Sequence, residues 1–335
     1  MLAPQGVKKA MRILVGTVGQ SVVMSPDDGQ HWVRQGPRQG MHSDALVRTL
    51  VTHPDQPRTV LAGTDRGLYR TEDGGETWQA LNGPLGDYTV WSIEFHPQDR
   101  RVLFVGTGVP RAKIFRSPDG GQTWQDLDVD VVEECENVGF PRVTGIAVDP
   151  VDPRHVWASI EVDGVRHSAD GGQTWTRVDP AAIPNPDGHA VVVSPGPPKT
   201  VFVVVNNDIY ASQDNGQTWR SLGAREKFAP YRHVRDLVVD PSDPCAAWAT
   251  VGDYTPGDTG ALMRTHDLGQ SWQTVTMPVQ PNSSMWVVRA QPDSRDLLIA
   301  ASRYGYLYRS QDGGQRWEKL RRELSEVASL VWVPG

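Results

Sequence analysis

The stretch SPDGGQTW, residues 117–124, recurs along the chain in six further copies, and we call each copy a box. The other boxes are SPDDGQHW (25–32), TEDGGETW (71–78), SADGGQTW (168–175), SQDNGQTW (212–219), THDLGQSW (265–272) and SQDGGQRW (310–317). Successive box tryptophans are separated by 46, 46, 51, 44, 53 and 45 residues. A near-constant period of this length indicates a propeller or a solenoid built from repeated units.

The segments between the boxes repeat as well. Each unit has an apolar stretch that ends at a proline, such as TVWSIEFHP (89–97), and a further strand such as TVLAGT (59–64). A third strand such as GLYRT (67–71) leads into the box. Four short strands per unit, separated by turn residues, are the make-up of one propeller blade. The 33 glycines and 26 prolines of the chain agree with an all-β fold that is rich in turns.

The two ends of the repeat predict how the ring closes. The segment RILVGT (12–17) begins partway through a blade, and VASLVWVP (327–334) is an inner strand with no strands after it. Pairing the last strand with the first blade removes the free sheet edges. We therefore predict a seven-bladed β-propeller of four-stranded antiparallel blades, with residues 1–11 as an extension and 12–335 as a single domain. The predicted blades are 327–334 with 12–36, then 46–82, 88–128, 142–178, 188–222, 233–276 and 285–320.

The pattern S/T-x-D-x-G-x-x-W resembles the Asp-box, or BNR, repeat of sialidase-like propellers, sortilin-type receptors and photosystem II assembly factors. The resemblance covers about residues 12–334. It implies the propeller fold, and it leaves the function open because these families include hydrolases, receptors and assembly factors.

The box itself is interpreted as a structural turn. Its aspartate can accept backbone N–H groups, its glycine can adopt a positive φ, and its tryptophan can pack between blades. An active site is used once, whereas this motif occurs in every blade. The structural aspartates are Asp27, Asp73, Asp119, Asp170, Asp214, Asp267 and Asp312.

Composition excludes some classes of partner. The formal charge is −7, with 33 basic and 40 acidic residues, which argues against binding to nucleic acid. No stretch is apolar enough for a signal peptide or a membrane span, so a cytoplasmic location is expected. The two cysteines, Cys135 and Cys245, are far apart in sequence and indicate neither a disulfide framework nor a zinc site.

A ligand site is predicted on the upper face, opposite the boxes. If inner strands run from top to bottom, the residue six before each strand-ending proline lies near the top. That level is occupied by Arg48, Trp91, Thr144, His189, Arg235, Trp286 and Ala328. Arginine, histidine and tryptophan are suited to orienting an anionic or sugar-like ligand between flat apolar faces. The predicted ligand-binding residues are His42, Arg48, Tyr88, Trp91, Arg142, His189, Tyr231, His233, Arg235, Tyr254, Trp286, Arg303 and Tyr304.

Three functions are compatible with such a site. A binding module ranks first, with a small anionic or carbohydrate ligand or a protein partner on the upper face, and it needs no cofactor. The resemblance to sialidases implies a glycosidase alternative, in which Arg48, Arg142 and Arg235 form an arginine triad and Asp44 is the acid. The chain departs from the sialidase pattern, because RILV (12–15) replaces F/Y-R-I-P and no Tyr/Glu nucleophile pair is evident.

A metal-dependent enzyme is the other alternative. His42, His189 and His233 all map to the upper side, and neutral imidazoles can bind a divalent metal. The catalytic candidates are Asp44, His189 and His233.

Overall fold

The computed structural model describes residues 11–81, 83–135, 139–291 and 296–335. The protein is a seven-bladed β-propeller, and each blade is a four-stranded antiparallel sheet, as predicted. The expected N-terminal extension, apart from Met11, lies outside the described residues. The single-domain assignment stays a prediction.

The strands are numbered in chain order. The first seven are β1 (Met11–Thr17), β2 (Val22–Ser25), β3 (Val33–Arg34), β4 (Val47–His53), β5 (Gln56–Thr64), β6 (Gly67–Thr71) and β7 (Gln79–Ala80). The next eight are β8 (Val90–Phe95), β9 (Leu103–Thr107), β10 (Ile114–Ser117), β11 (Gln125–Leu127), β12 (Val143–Val148), β13 (Val156–Ile160), β14 (Gly164–Ser168) and β15 (Thr176–Arg177).

The following eight are β16 (Gly188–Ser194), β17 (Thr200–Val205), β18 (Asp208–Ser212), β19 (Arg220–Ser221), β20 (His233–Asp240), β21 (Asp243–Gly252), β22 (Gly260–Thr265) and β23 (Gln273–Thr274). The last five are β24 (Met285–Ala290), β25 (Leu298–Ser302), β26 (Leu307–Ser310), β27 (Glu318–Lys319) and β28 (Val327–Pro334). The helical segments are one short α-helix, Ala224–Lys227, and the 3-10 turns Pro37–Gln39 and Pro84–Asp87.

The ring closes through the predicted pairing of the last strand with the first. Strand β28 pairs antiparallel with β1, so that Met11 faces Pro334 and Val15 faces Leu330. The resulting sheet has the order β28-β1-β2-β3. The other six sheets use consecutive strands, and their inner strands are β4, β8, β12, β16, β20 and β24.

The hydrophobic core lies between adjacent blades. One cluster joins Leu14 of β1 to Leu50 of β4 and to the box residue Trp78. Another joins Phe104 of β9 to Val143 of β12 and is covered by the box residue Trp175. Every blade therefore depends on its neighbours for burial of its apolar faces.

The boxes form hydrogen-bonded turns at the lower face, where the inner strands end. Asp119 Oδ1 accepts the N–H groups of Gln122 at 3.0 Å and Thr123 at 2.8 Å. Its Oδ2 accepts the Thr123 hydroxyl at 2.6 Å, and the Ser117 hydroxyl donates to Oδ1 at 2.9 Å. Gly121 has a φ of +89°, which a residue with a Cβ rarely adopts.

Candidate functional site

The central channel narrows to a waist below the upper face. The waist is a cavity of about 90 Å³, and all seven residues at the predicted level line it. They come from seven different inner strands, so only the closed ring brings them together. Above the waist the channel widens to an upper cavity of about 570 Å³, a volume suited to a small ligand.

The upper cavity contains most of the predicted site. Its lining residues are Arg48, Trp91, Arg142, Glu161, Asp187, His189, Asn206, His233, Arg235, Tyr254, Thr255, Trp286, Arg303 and Ala328. All three arginines of the hypothetical triad are present. The assignment of individual ligand contacts remains a proposal.

Two guanidinium groups lie over each tryptophan of the cavity. Arg48 and Arg142 lie 4.6 and 4.9 Å from the centre of the Trp91 ring. Arg235 and Arg303 each lie 4.4 Å from the centre of the Trp286 ring. Such cation–π contacts occupy the flat surfaces of the indoles. Guanidinium groups thus contact the indole rings that were predicted to flank a ligand.

The four arginines differ in their partners. Arg142 forms an ion pair of 2.7 Å with Glu161, and Arg303 forms one of 2.7 Å with Glu326. Among the described residues, neither Arg48 nor Arg235 has a carboxylate within 4.0 Å. The Nε of Arg48 is buried without a hydrogen-bond partner in the same part of the chain. In the described part of the chain, two guanidinium groups thus line the channel without a carboxylate at ion-pair distance, although Glu161 and Asp236 act on Arg235 from farther away.

Burial acts on both of these arginines. Desolvation lowers the pKa of Arg48, and the nearby charge of Arg142 lowers it further. Desolvation also lowers the pKa of Arg235. An arginine starts from such a high pKa that both groups stay cationic at neutral pH. The upper cavity is therefore positively charged and partly shielded from water.

The two histidines of the cavity are in contact. Their ring centres lie 5.1 Å apart, and His233 Nδ1 lies 3.0 Å from Asn206 Oδ1. Burial, together with the neighbouring His189 and Arg235, lowers the pKa of His233 to about 3. His233 is therefore neutral at physiological pH. Its Nε2 has no hydrogen-bond partner among the residues that the structure describes.

Several predicted site residues lie outside the cavity lining. Asp44 and His42 both contact Arg66, at 3.0 and 3.1 Å respectively, on the exposed surface. The third imidazole of the metal hypothesis is thus not brought to His189 and His233. Asp44, the acid of the glycosidase hypothesis, also lies outside the cavity that Arg48, Arg142 and Arg235 line.

Three tyrosines are likewise elsewhere. Tyr88 packs against Phe115 with ring centres 5.3 Å apart, and Tyr231 packs against a core cluster. Tyr304 is exposed and does not line the cavity. Tyr254 does line it and is 73% exposed.

Glu161 and Asn206 line the cavity but were missed. Each follows directly on the second strand of its blade, at the hairpin position that Arg303 occupies in another blade. Aligning these hairpins would have found both residues. Thr255, also missed, follows Tyr254 in the corresponding hairpin of the β20–β23 blade.

Within residues 11–81, 83–135, 139–291 and 296–335, no group of three or more His, Cys, Asp or Glu side chains is placed to hold a metal ion. The helices in these ranges are too short to cross a membrane.

Two family models match parts of the chain. The model described as sortilin, neurotensin receptor 3, matches residues 20–147. The model of the photosynthesis system II assembly factor YCF48 matches residues 84–226. Both matches lie within the repeat region, and each covers less than half of the chain.

The curated relatives are xyloglucanases. A xyloglucanase from Paenibacillus sp is 33% identical over 133 residues, which is 33% of this chain and 13% of that protein. Xyloglucanase Xgh74A from Acetivibrio thermocellus is 26% identical over 314 residues, covering 76% of this chain and 35% of that protein. The chain thus spans about a third or less of the length of these relatives.

Solved structures agree on the fold. The GH74 enzyme of Niastella koreensis has a TM-score of 0.65 at 20% identity, covering 82% of this chain and 45% of that one. YCF48 bound to D1 peptide has a TM-score of 0.53 at 19% identity, covering 82% of each chain.

The comparison corrects the predicted location. The expectation of a cytoplasmic protein is wrong, because the similarity to the curated xyloglucanases contradicts it.

The partial family matches, the seven sheets and the xyloglucanase and YCF48 neighbours lead to one conclusion about the architecture. This chain is a BNR-type β-propeller.

Proposed function

We propose that this propeller binds a small anionic ligand in the upper cavity. The observation that carries the proposal is the pair of guanidinium groups, Arg48 and Arg235, that line the channel with no carboxylate of the described residues within 4.0 Å. A charge removed from water is costly unless a partner compensates it. A carboxylate or another oxyanion between the two would supply that compensation through charge-assisted hydrogen bonds.

The surroundings support an anion over a neutral sugar ring. The indole faces of Trp91 and Trp286 are covered by guanidinium groups, so they are poor platforms for stacking a pyranose. His233 and Asn206 add polar atoms that can bind hydroxyl groups of the same ligand. An acidic sugar or a peptide carboxylate combines the required features.

Calorimetric titration with matched ligands tests the proposal. Glucuronate and glucose share a ring and differ by the carboxylate, so glucuronate should bind and glucose should bind at least tenfold more weakly. The Arg48→Ala/Arg235→Ala variant should lose at least tenfold in glucuronate affinity. Arg66→Ala removes an upper-face arginine outside the cavity and serves as the control. Equal affinity for both sugars, or no loss in the double variant, contradicts the proposal.

The second candidate function is glycoside hydrolysis. It is supported by the similarity to xyloglucanases and by two carboxyl groups, Glu161 and Asp187, in the lining of the same cavity. Glycoside hydrolases commonly use such a pair as acid and as base or nucleophile. Release of reducing ends from xyloglucan by the wild type, abolished in Glu161→Gln and Asp187→Asn, would establish this activity. No release by the wild type would leave the binding function alone.

A further inference from the structure

Below the waist the channel opens again into a lower cavity. It has a volume of about 340 Å³ and is lined by residues of all seven inner strands. Its walls are mainly apolar, with Leu50, Ile93 and Trp332 among them, and Pro54 and Pro57 stand near its mouth. This space lies on the box side of the ring and is separate from the upper cavity, so it does not depend on the function proposed there.

One level of the lower cavity departs from the repeat. The third residue before each strand-ending proline is Val51, Glu94, Ala147, Val192, Val238, Arg289 and Val331. Five of these seven side chains are valine or alanine, as expected where inner strands pack. The blades of β8 and β24 instead place a carboxylate and a guanidinium there. A residue that breaks a sevenfold pattern needs its own explanation.

Arg289 is explained by its partners. Its Nη1 donates to Asp236 Oδ2 and to the Val288 carbonyl oxygen. This ion pair joins two neighbouring blades, and its two opposite charges cancel. Asp236 and Arg289 therefore leave the lower cavity with no net charge between them.

Glu94 has no such partner. In the described part of the chain, no basic side chain lies within 4.0 Å of its carboxyl group. Its nearest influential cation is Arg100, which donates to the His96 carbonyl oxygen at 3.0 Å and lies 3.9 Å from Asp55. A carboxyl group that has no ion-pair partner among the described residues thus lines a mainly apolar cavity.

The remaining titratable group at the cavity is His53. Its Nδ1 accepts N–H groups from Asp55 and Gln56, both at 3.1 Å. Burial lowers the pKa of His53, so it is neutral at physiological pH. The groups that act on the lower cavity are therefore Glu94, the Asp236–Arg289 pair, and the distant Arg100 with Asp55.

Burial has the opposite consequence for Glu94. Desolvation raises the pKa of Glu94 to about 8, against the opposing influences of Arg100 and of a hydrogen bond from the Val148 backbone. At neutral pH the empty cavity therefore holds a mostly protonated carboxyl group. A bound cation would favour the carboxylate and release the proton.

We propose that the lower cavity is a second binding site, which takes a small organic ammonium ion with an apolar body. The ammonium group would pair with the Glu94 carboxylate, and the body would cover the apolar walls. A metal ion fits this site poorly, because calcium or magnesium requires about six oxygen ligands and Glu94 is the single carboxyl group without an ion pair among the described lining residues.

Calorimetry with benzylammonium tests this proposal, and benzyl alcohol is the neutral match. Benzylammonium should bind the wild type, and its affinity should rise on the order of 20-fold from pH 6.5 to pH 8.5 as Glu94 ionises. At pH 7, titrations in buffers of different ionisation enthalpy should report close to one proton released per ligand. Benzyl alcohol should bind at least tenfold more weakly, with no dependence on pH.

Two variants complete the test. Glu94→Gln keeps the shape of the side chain and should lose at least tenfold in benzylammonium affinity, together with the proton release. Glu226→Gln removes an exposed carboxylate far from the channel and should bind as the wild type does. Equal binding of the alcohol and the ammonium, or unchanged binding in Glu94→Gln, would overturn the proposal. A melting curve of each variant without ligand verifies that it is folded.

Discussion

Each of the seven blades contributes one box turn and one residue of the channel waist. The box turns are alike in all blades, whereas the waist residues differ from blade to blade. The box keeps one hydrogen bond in every copy: the aspartate Oδ1 accepts the N–H group four residues later. The waist instead carries arginine, tryptophan, threonine, histidine and alanine at equivalent positions. In a symmetric ring, uniform positions therefore belong to the architecture, and a ligand site is found where the blades differ.

The largest expected effect comes from emptying a box. Trp175 packs between the β8–β11 and β12–β15 blades, and its Nε1 donates to the Gly172 carbonyl oxygen at 3.1 Å. Trp175→Ala should lower the free energy of unfolding by roughly 3–5 kcal/mol, as measured by denaturant titration. Glucuronate affinity should change less than twofold. A large loss of glucuronate affinity with an unchanged free energy of unfolding would contradict the assignment of the boxes to the fold and of the channel to binding.

Acid should weaken the boxes as a group. Burial raises the pKa of Asp73, but hydrogen bonds from Thr77 and its neighbours outweigh this effect and lower it to about 2. Because the folded pKa lies below the unfolded one, this stabilisation is complete above about pH 4 and is lost as the pH falls towards 2.

The buried His233 and the partly buried His167 act at higher pH. Burial lowers the pKa of His167 to about 4 and that of His233 to about 3. Stability should therefore fall in two stages, from about pH 6.5 to 4 and then more steeply below pH 4. A melting temperature that stays constant from pH 7 to pH 3 would contradict both assignments.

Replacing Arg48 and Arg235 should lower glucuronate affinity and leave stability nearly unchanged. Replacing a box tryptophan should instead lower stability and leave the affinity nearly unchanged. Arg48→Ala/Arg235→Ala takes away two desolvated charges that have no carboxylate within 4.0 Å among the described residues. Its free energy of unfolding should stay within about 1 kcal/mol of the wild type or increase. A loss of more than about 3 kcal/mol, with anion binding intact, would make these residues structural plugs of the channel.

The smallest effect is expected at the rim. Tyr254 lines the upper cavity but is 73% exposed, and its backbone carbonyl, which a substitution retains, accepts the Ser284 hydroxyl. Tyr254→Ala should change stability by less than about 0.5 kcal/mol. Glucuronate affinity should fall less than threefold. A tenfold loss would extend the site from the channel wall to its rim.

The period of the box and the prolines that end the inner strands were enough to predict the fold and its closure. The number of strands before each box gives the direction of each inner strand. That direction predicted that Arg48 and Arg235 lie near the upper end of the channel. Sequence could not predict which charges would pair across blades. Arg66 holds Asp44 outside the cavity, and Glu161 pairs with Arg142 inside it. Such pairing depends on side-chain reach in the assembled ring, which no local pattern encodes.

The pairing of β28 with β1 has a consequence for the order of folding. These strands are separated by almost the whole described chain, so the first blade lacks its inner strand until synthesis has reached the last one. The earlier blades can stack on one another as they emerge from the ribosome, but the ring closes last. Because Met11 and Pro334 are neighbours, a short peptide could join them and new ends could be opened between two other blades. In such circular permutants, the strand that is synthesised last would complete a different blade. The closed ring would be the same.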